Sequence, residues 1–348
     1  MPPLYITTQG AKLRYSQRRL IVEQDERLIA AVPVVHVDQV LIFGNISVTT
    51  PALSYLLESE TDTVFLTLQG RYKGRLVGPS GGNGQLRLRQ YARVLEPAYA
   101  LETARAIVRA KLANTRTLLM RYARRIAEPE LAGVGARALE RARALGGAAD
   151  QLDALLASLA RAQSVNAISG HEGRGAAIYF GVFRHLIEGR EWRFEGRNRR
   201  PPRDPVNALL SFGYTILTHN MEAAVRTVGL DPYLGFLHQV AYNRPSLALD
   251  LVEEFRPIVV DSVVLRCLNA NLIRPQHFDE HGQPDYPVVM RDEGRAILIR
   301  ELEARLALEF RHPETGERVT YRRCLELQVR QLARCLQGGE IYRPFTVR

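Results

Sequence analysis

At Pro79–Asn83, a stretch rich in Pro, Gly and Ser, the hydrophobic period of the chain changes, so it must fold as two differently built parts. Before it come short runs rich in β-branched residues: Leu4-Tyr5-Ile6, Leu20-Ile21-Val22, Val32 to Val37, Val40-Leu41-Ile42, Ile46-Ser47-Val48 and Val64-Phe65-Leu66. Turn pairs separate them, Gln9-Gly10, Gly44-Asn45 and Gln69-Gly70, so the runs read as strands, with Pro51 to Leu57 as a short helix between two of them. After it, apolar residues recur every three or four positions, as in Ala104, Val108, Leu112 and Leu119, then Leu152, Leu155, Leu156 and Leu159. The expected fold class is α+β, a small N-terminal β-strand domain over residues 1–92 followed by a larger all-α domain over residues 93–348. Within the second part, Pro129 and Gly146-Gly147 punctuate the pattern, and one helix is expected from Ala148 toward Leu186. His277 to Tyr286 reads as a hairpin or turn. Arg291 to Leu336 reads as helix broken at Thr315-Gly316, before an extended, basic tail.

Charge narrows the partners. In 348 residues Lys plus Arg exceed Asp plus Glu by 10, which favours an anionic partner, nucleic acid ahead of a membrane surface. No apolar run approaches the roughly 20 residues that span a bilayer, and the amino terminus lacks a charged-then-apolar signal pattern, so the cytoplasm is the expected compartment. Leu101 to Gly147 holds ten Lys or Arg against four Glu. A basic loop follows at Arg190–Arg203, where Arg193, Arg197, Arg199 and Arg200 surround Trp192 and Phe194. Such a loop suits DNA ends that stack and pair with guanidinium, or is an ordinary surface loop anchored by its aromatics. Three scattered cysteines, Cys267, Cys324 and Cys335, build neither a disulfide framework nor a zinc site.

Chemistry concentrates in two stretches. Gly235–Pro257, GFLHQVAYNRPSLALDLVEEFRP, sets His238 upstream of an amphipathic helix bearing Asp250, Glu253 and Glu254. Asp250 and Glu253 share a polar edge at i and i+3, and imidazole with carboxylate is a usual ligand set for a divalent cation. A solvated acidic face beside a packed histidine produces the same pattern. Ile168–Phe180, ISGHEGRGAAIYF, places Glu172 before a small-residue run whose glycines imply close approach to another backbone. His171, adjacent to Glu172, points about 100° away on a helix. His219 reads as packing or solvent-facing, Asn207 as a helix cap or a cleft-lining residue, and His277, Asp279 and His281, although spaced like metal ligands, as part of a turn marked by Gly282 and Pro284.

These two stretches, with Arg197–Leu217 (RNRRPPRDPVNALLSFGYTIL) between them, resemble the CRISPR-associated protein one family, the spacer-acquisition integrases of antiviral defence, and the order of segments matches over nearly the whole chain. The resemblance implies a metal-dependent DNA integrase and endonuclease. Such an enzyme inserts short fragments into a CRISPR array by 3′-hydroxyl transesterification. It implies Glu172, His238 and Glu253 as catalytic metal ligands, with Mg²⁺ or Mn²⁺ as cofactor. Glu254 competes with Glu253 for the third position, Asp250 serves as a partner behind His238 or an occasional ligand, and His238 alternatively works as general acid or base. Arg256, one turn past Glu253, is a candidate for DNA phosphate together with the loop arginines. The implied partners are double-stranded DNA with 3′-hydroxyl ends, CRISPR repeat DNA, a second copy meeting through the β domain, and a small second adaptation protein in a heterohexamer. A non-catalytic nucleic-acid-binding protein is the alternative, and a hydrolase of small phosphate esters fits the arginine surplus poorly.

Overall fold

The computed structural model describes residues 3–78, 83–127, 136–198, 201–279 and 287–347. The chain divides into two compact units, Met1–Gly82 and Asn83–Arg348. In chain order the first unit holds β1 (Leu4–Ile6), β2 (Lys12–Ser16), β3 (Arg19–Gln24), β4 (Arg27–Pro33), β5 (Gln39–Phe43), β6 (Ser47–Val48), α1 (Thr50–Glu58), β7 (Asp62–Leu66) and β8 (Tyr72–Leu76). They form two four-stranded sheets, ordered β1-β5-β7-β8 and β4-β3-β2-β6. β1, β5 and β7 are parallel, and β8 returns antiparallel. In β3, Leu20 and Val22 alternate inward and meet Leu13, Val40, Ile42 and the Ala52 and Leu56 face of α1. The β2–β3 and β3–β4 hairpins turn on Gln17-Arg18 and Asp25-Glu26, four residues at positive φ without a glycine among them.

The second unit is helical: α2 (Gly84–Leu95), α3 (Pro97–Ala127), α4 (Ala136–Leu159), α5 (Val165–Val182), α6 (Pro205–Val228), α7 (Ser246–Val252), α8 (Ser262–Asn269), α9 (Asp292–Ala307) and α10 (Tyr321–Gly338). Two ribbons accompany them, β9 (Phe278–Asp279) with β10 (Val289–Met290) and β11 (Glu309–Arg311) with β12 (Arg318–Thr320). No helix among the described residues is long and apolar enough to cross a membrane.

Several local expectations change. Residues 84–92, grouped above with the β domain, open the helical unit as α2, where the Asn83 side chain accepts from the Leu86 amide at 3.2 Å. Gly146 and Gly147 lie inside α4. The single helix expected from Ala148 is cut at 160–164, where Ser164 caps α5 by accepting from the Ala167 amide at 3.1 Å. The break at Thr315-Gly316 is a full hairpin, β11–β12, with Gly316 at φ +70°. Pro79–Gly82, Pro129 and residues 280–286 lie outside the described residues.

The tail is extended, and it is also packed. Phe345 stacks on Phe255 with centroids 5.3 Å apart, edges against Phe310 and Tyr321, and is buried. Asn114 of α3 ties it down, donating to the carbonyls of Phe345 (2.9 Å) and Glu254 (2.8 Å) and accepting from the Val347 amide (2.9 Å). Truncating an aromatic so enclosed removes about 3–5 kcal/mol. Phe345→Ala is therefore expected to lower unfolding stability by that amount in urea titrations, with Thr346→Ala as a control of small effect.

Candidate active site

Glu172 is presented by α5, and Gly175 one turn later explains the small-residue run. A Cβ there would lie 2.2 Å from Leu112 Cδ2 of α3, so a larger residue would have to displace the Leu112 side chain from between the two helices. The approach places Glu172 against Lys111 of α3: the ammonium donates to Glu172 Oε1 and lies 2.6 Å from Glu253 Oε2. Two carboxylates from separate elements thus converge on one positive charge. Glu253 is 2% exposed, whereas the Glu172 side chain keeps 23% of its surface.

His238 reaches the same region through its backbone. Asp250, fully buried on α7, accepts from the amides of Phe236 (2.6 Å), Leu237 (2.9 Å) and His238 (2.9 Å) and from His238 Nδ1 (2.6 Å). A carboxylate already accepting three amides is an acceptor for the fourth contact too, so Nδ1 is the donor and Nε2 is the ring nitrogen left to another partner. Gly235 makes the clamp feasible, because a Cβ would sit 2.5 Å from Asp250 Oδ2. Asp250 is consequently spent on orientation. Of the two roles open in the sequence, the partner behind His238 is the one it occupies.

Glu253 and Glu254 are adjacent and face opposite ways. α7 ends at Val252, and Pro257 cannot donate to the Glu253 carbonyl, so the chain widens into a π turn, Arg256–Asp261, before α8. Glu253 Oε1 pairs with Arg256 Nη1 at 2.9 Å. Burial pushes the Glu253 carboxyl up, but Arg256, Lys111 and His238 together bring it down to about 2. Glu254 instead accepts from the Tyr342 hydroxyl (2.6 Å), the Phe345 amide and Gln328 (3.3 Å), and burial raises it to about 8. Glu254 belongs to the tail; Glu253 belongs to Lys111 and Arg256.

A cleft lined by Lys111, Gly175, Tyr179, Tyr214, Arg256 and Asp261 opens beside these groups. Arg256 lies over the Tyr214 ring, 4.8 Å from its centroid, and Tyr214 and Tyr179 donate to Asp261 at 2.5 and 2.8 Å. Arg197 is drawn into the same network, donating to Asn207 (2.8 Å) and Ser211 (2.9 Å). Asn207 is not the cap of α6. Asp204 is, and Asn207, fully buried, fastens the loop to it. Trp192 and Phe194 are buried against Phe278 and Phe183, so they anchor the basic loop and offer no surface for stacking bases. Arg193 is exposed; Arg199, Arg200 and His281 lie outside the described residues.

His171 turns from the cleft, with Nδ1 2.8 Å from the Ala167 carbonyl and Nε2 3.1 Å from Ser158 Oγ. His219 is buried 3.8 Å from Glu222, and buried His277 accepts from the Arg274 amide at 3.1 Å. The three cysteines are free and buried, their thiols raised by burial.

Among the described residues no three His, Cys, Asp or Glu side chains already form a closed metal cage. The donors nevertheless suit a hard divalent cation: two carboxylates share a cationic centre, and Glu253 Oε2 has no well-directed hydrogen-bond donor. Lys111 is the residue the sequence reading missed. The signal was present, since it falls on the inner stripe of α3 between Val108, Leu112 and Thr115.

The profile of the CRISPR associated protein Cas1 family matches residues 4–304. A Geobacter sulfurreducens relative named CRISPR-associated exonuclease Cas4/endonuclease Cas1 fusion is 37% identical over 341 residues, 97% of this chain and 58% of the fusion. CRISPR-associated endonuclease Cas1 3 of Thermus thermophilus is 36% identical over 346 residues, 99% of this chain and 95% of the relative. The solved structure of a Cas1 protein from Thermotoga maritima superposes with a TM-score of 0.82 at 25% identity, covering 98% of this chain and 99% of that one. A Cas6-RT-Cas1–Cas2 complex (TM-score 0.81, 24% identity, 100% of this chain and 36% of that one) shares the fold. So does a casposase bound to integration product (0.82, 22%, 99% and 93%).

Asp261 supplies a pH test of the cleft. Burial, against donation from Tyr214 and Tyr179 and the charges of Arg256 and Arg197, lifts its carboxyl from the ordinary 3.8 to about 6. A folded value above the unfolded one gives stability that is full below about pH 4 and is lost as pH rises through 6. Urea titrations of the native chain should therefore show stability falling across that window by up to about 1.4 kcal/mol per pH unit relative to Asp261→Asn. Parallel profiles for the two proteins would contradict the shift.

Proposed function

The chain belongs to the CRISPR-associated Cas1 family, and we propose that it is a divalent-metal-dependent DNA integrase and endonuclease that joins short duplexes to a CRISPR array. The observation that carries this reading is the convergence of Glu172 and Glu253 on one cationic centre, beside an imidazole whose Nδ1 proton is fixed by Asp250. Glu172, Glu253 and His238 Nε2 would hold Mg²⁺ or Mn²⁺, which when bound supplies Lewis acidity to a scissile phosphodiester and lowers the barrier to attack by a 3′-hydroxyl. Glu253 is the third ligand in this reading because Glu254 is committed to the tail.

The chain's own groups do the remainder. Asp250 orients His238, and Arg256 neutralises the cleft wall next to Glu253. The imidazole would ligate through Nε2, the ring nitrogen that Asp250 leaves free. Arg193, with Arg199 and Arg200, is the proposed contact for flanking phosphate, together with Arg197 and Arg256, which also brace Asn207 and Tyr214. The names of related and structurally similar proteins, an endonuclease, a Cas1–Cas2 complex and a casposase on its integration product, support DNA as substrate and a small second adaptation protein as partner. Pairing of two copies through the β domain, within a heterohexamer, completes the proposal.

The test is joining of a labelled duplex with free 3′-hydroxyls to a supercoiled plasmid carrying a CRISPR array. Purified protein and the second adaptation protein are supplied with Mn²⁺ or EDTA. Label should reach the plasmid only with metal and drop by roughly 100-fold or more in His238→Ala and in Glu253→Gln, with DNA binding retained. Joining that persists in EDTA, or in both variants, would sink the metal-site reading. Binding without any product in every lane would favour a non-catalytic nucleic-acid-binding protein.

A further inference from the structure

Lys111 is chemically out of place. The chain has 47 Lys and Arg, yet only Lys12, Lys73 and Lys111 are lysines, so the helical unit uses arginine for every other basic position. Its one lysine sits on the inner stripe of α3, with a side chain 11% exposed, where it meets Glu172 and Glu253 together. An ammonium is a compact charge with three freely rotating donors, whereas a guanidinium is a wide planar fork. Between two carboxylates from different elements, the compact charge matches what a bound metal ion would present.

Resting on the metal-site reading above, we propose that Lys111 is a place-holding cation. In the metal-free chain its ammonium keeps Glu172 and Glu253 on a common centre and offsets their repulsion. A divalent cation takes over the same oxygens, and the ammonium withdraws into the cleft beside Gly175 and Asp261. Lysine and metal therefore compete. The consequence runs opposite to that of an ordinary structural ion pair: deleting the ammonium weakens the metal-free fold and strengthens metal binding, because a competitor for the carboxylates is gone.

The experiment titrates Mn²⁺ alone into the full chain by calorimetry and records melting curves in EDTA and in Mn²⁺, for wild type, Lys111→Met, Lys111→Arg and Glu253→Gln. Lys111→Met should bind Mn²⁺ about ten-fold more tightly than wild type. It should melt lower in EDTA and gain more from Mn²⁺. Lys111→Arg, which keeps the charge but holds both carboxylates with a broader fork, should bind Mn²⁺ more weakly than wild type. Should Lys111→Met fail to fold, the arginine variant decides the matter, and unchanged or tighter Mn²⁺ binding there overturns the proposal. Equal or weaker binding by a folded Lys111→Met, with wild-type binding intact and lost in Glu253→Gln, overturns the place-holder alone. Absence of Mn²⁺ binding by wild type overturns the metal site and the place-holder together.

Discussion

Glu172 and Glu253 come from different elements and meet where water is scarce, and like charges so placed repel strongly unless a cation stands between them. Much of the helical unit is arranged around this constraint. α3 and α5 approach closely enough to bring Lys111 onto Glu172, with the Leu112 side chain seated against Gly175. The π turn after α7 carries Arg256 back onto the other Glu253 oxygen. Arg256 then lies on Tyr214, whose hydroxyl serves Asp261, and the loop ahead of α6 is tied to the same wall through Arg197 and Asn207. Removing either cation leaves a buried carboxylate under-compensated, the most costly arrangement a protein interior offers.

Asp250 solves a different problem. The loop from Gly235 to His238 has no regular structure to fix it, and three successive amides need an acceptor. One buried carboxylate serves all three and the imidazole as well. Backbone and side chain of His238 are thereby set by a single group, so the position of the ring follows from α7 and not from the loop's own conformation. This is why two neighbouring acidic residues on one short helix, Asp250 and Glu253, have unlike roles despite their i, i+3 spacing.

The division into a β part and a helical part was legible because the hydrophobic period changes; β3, β5 and β7 follow from runs of β-branched residues, and α1 from the apolar stretch Pro51 to Leu57. β2 escaped because its hairpin turns on Gln17-Arg18, residues with no composition that announces positive φ. Gly146-Gly147 misled in the other direction, since no neighbour lies within 4 Å of a Cβ at either and they ride inside α4. At the site, motif and chemistry singled out Glu172, His238 and the acidic stretch, and the fold brings Glu172 and Glu253 together on Lys111. The choice between Glu253 and Glu254 was not, because adjacent residues differ only in which face of a bent helix they occupy. Lys111 was hidden among the arginines of α3 by charge counting, although its place on the apolar stripe marked it. Trp192 and Phe194 show the limit of composition: aromatics among arginines look the same whether they point to solvent or inward.

The attachment of the tail to Glu254 bears on how the protein is made. Phe345, whose amide binds Glu254, follows it by 91 residues. At ribosomal rates the two are synthesised roughly 5 to 20 s apart. For most of that interval a nascent chain holds the segment carrying Glu253 while lacking Gln328, Tyr342 and Phe345, the groups that seat its neighbour. The acidic segment therefore stays unfinished until Tyr342 and Phe345 have been made.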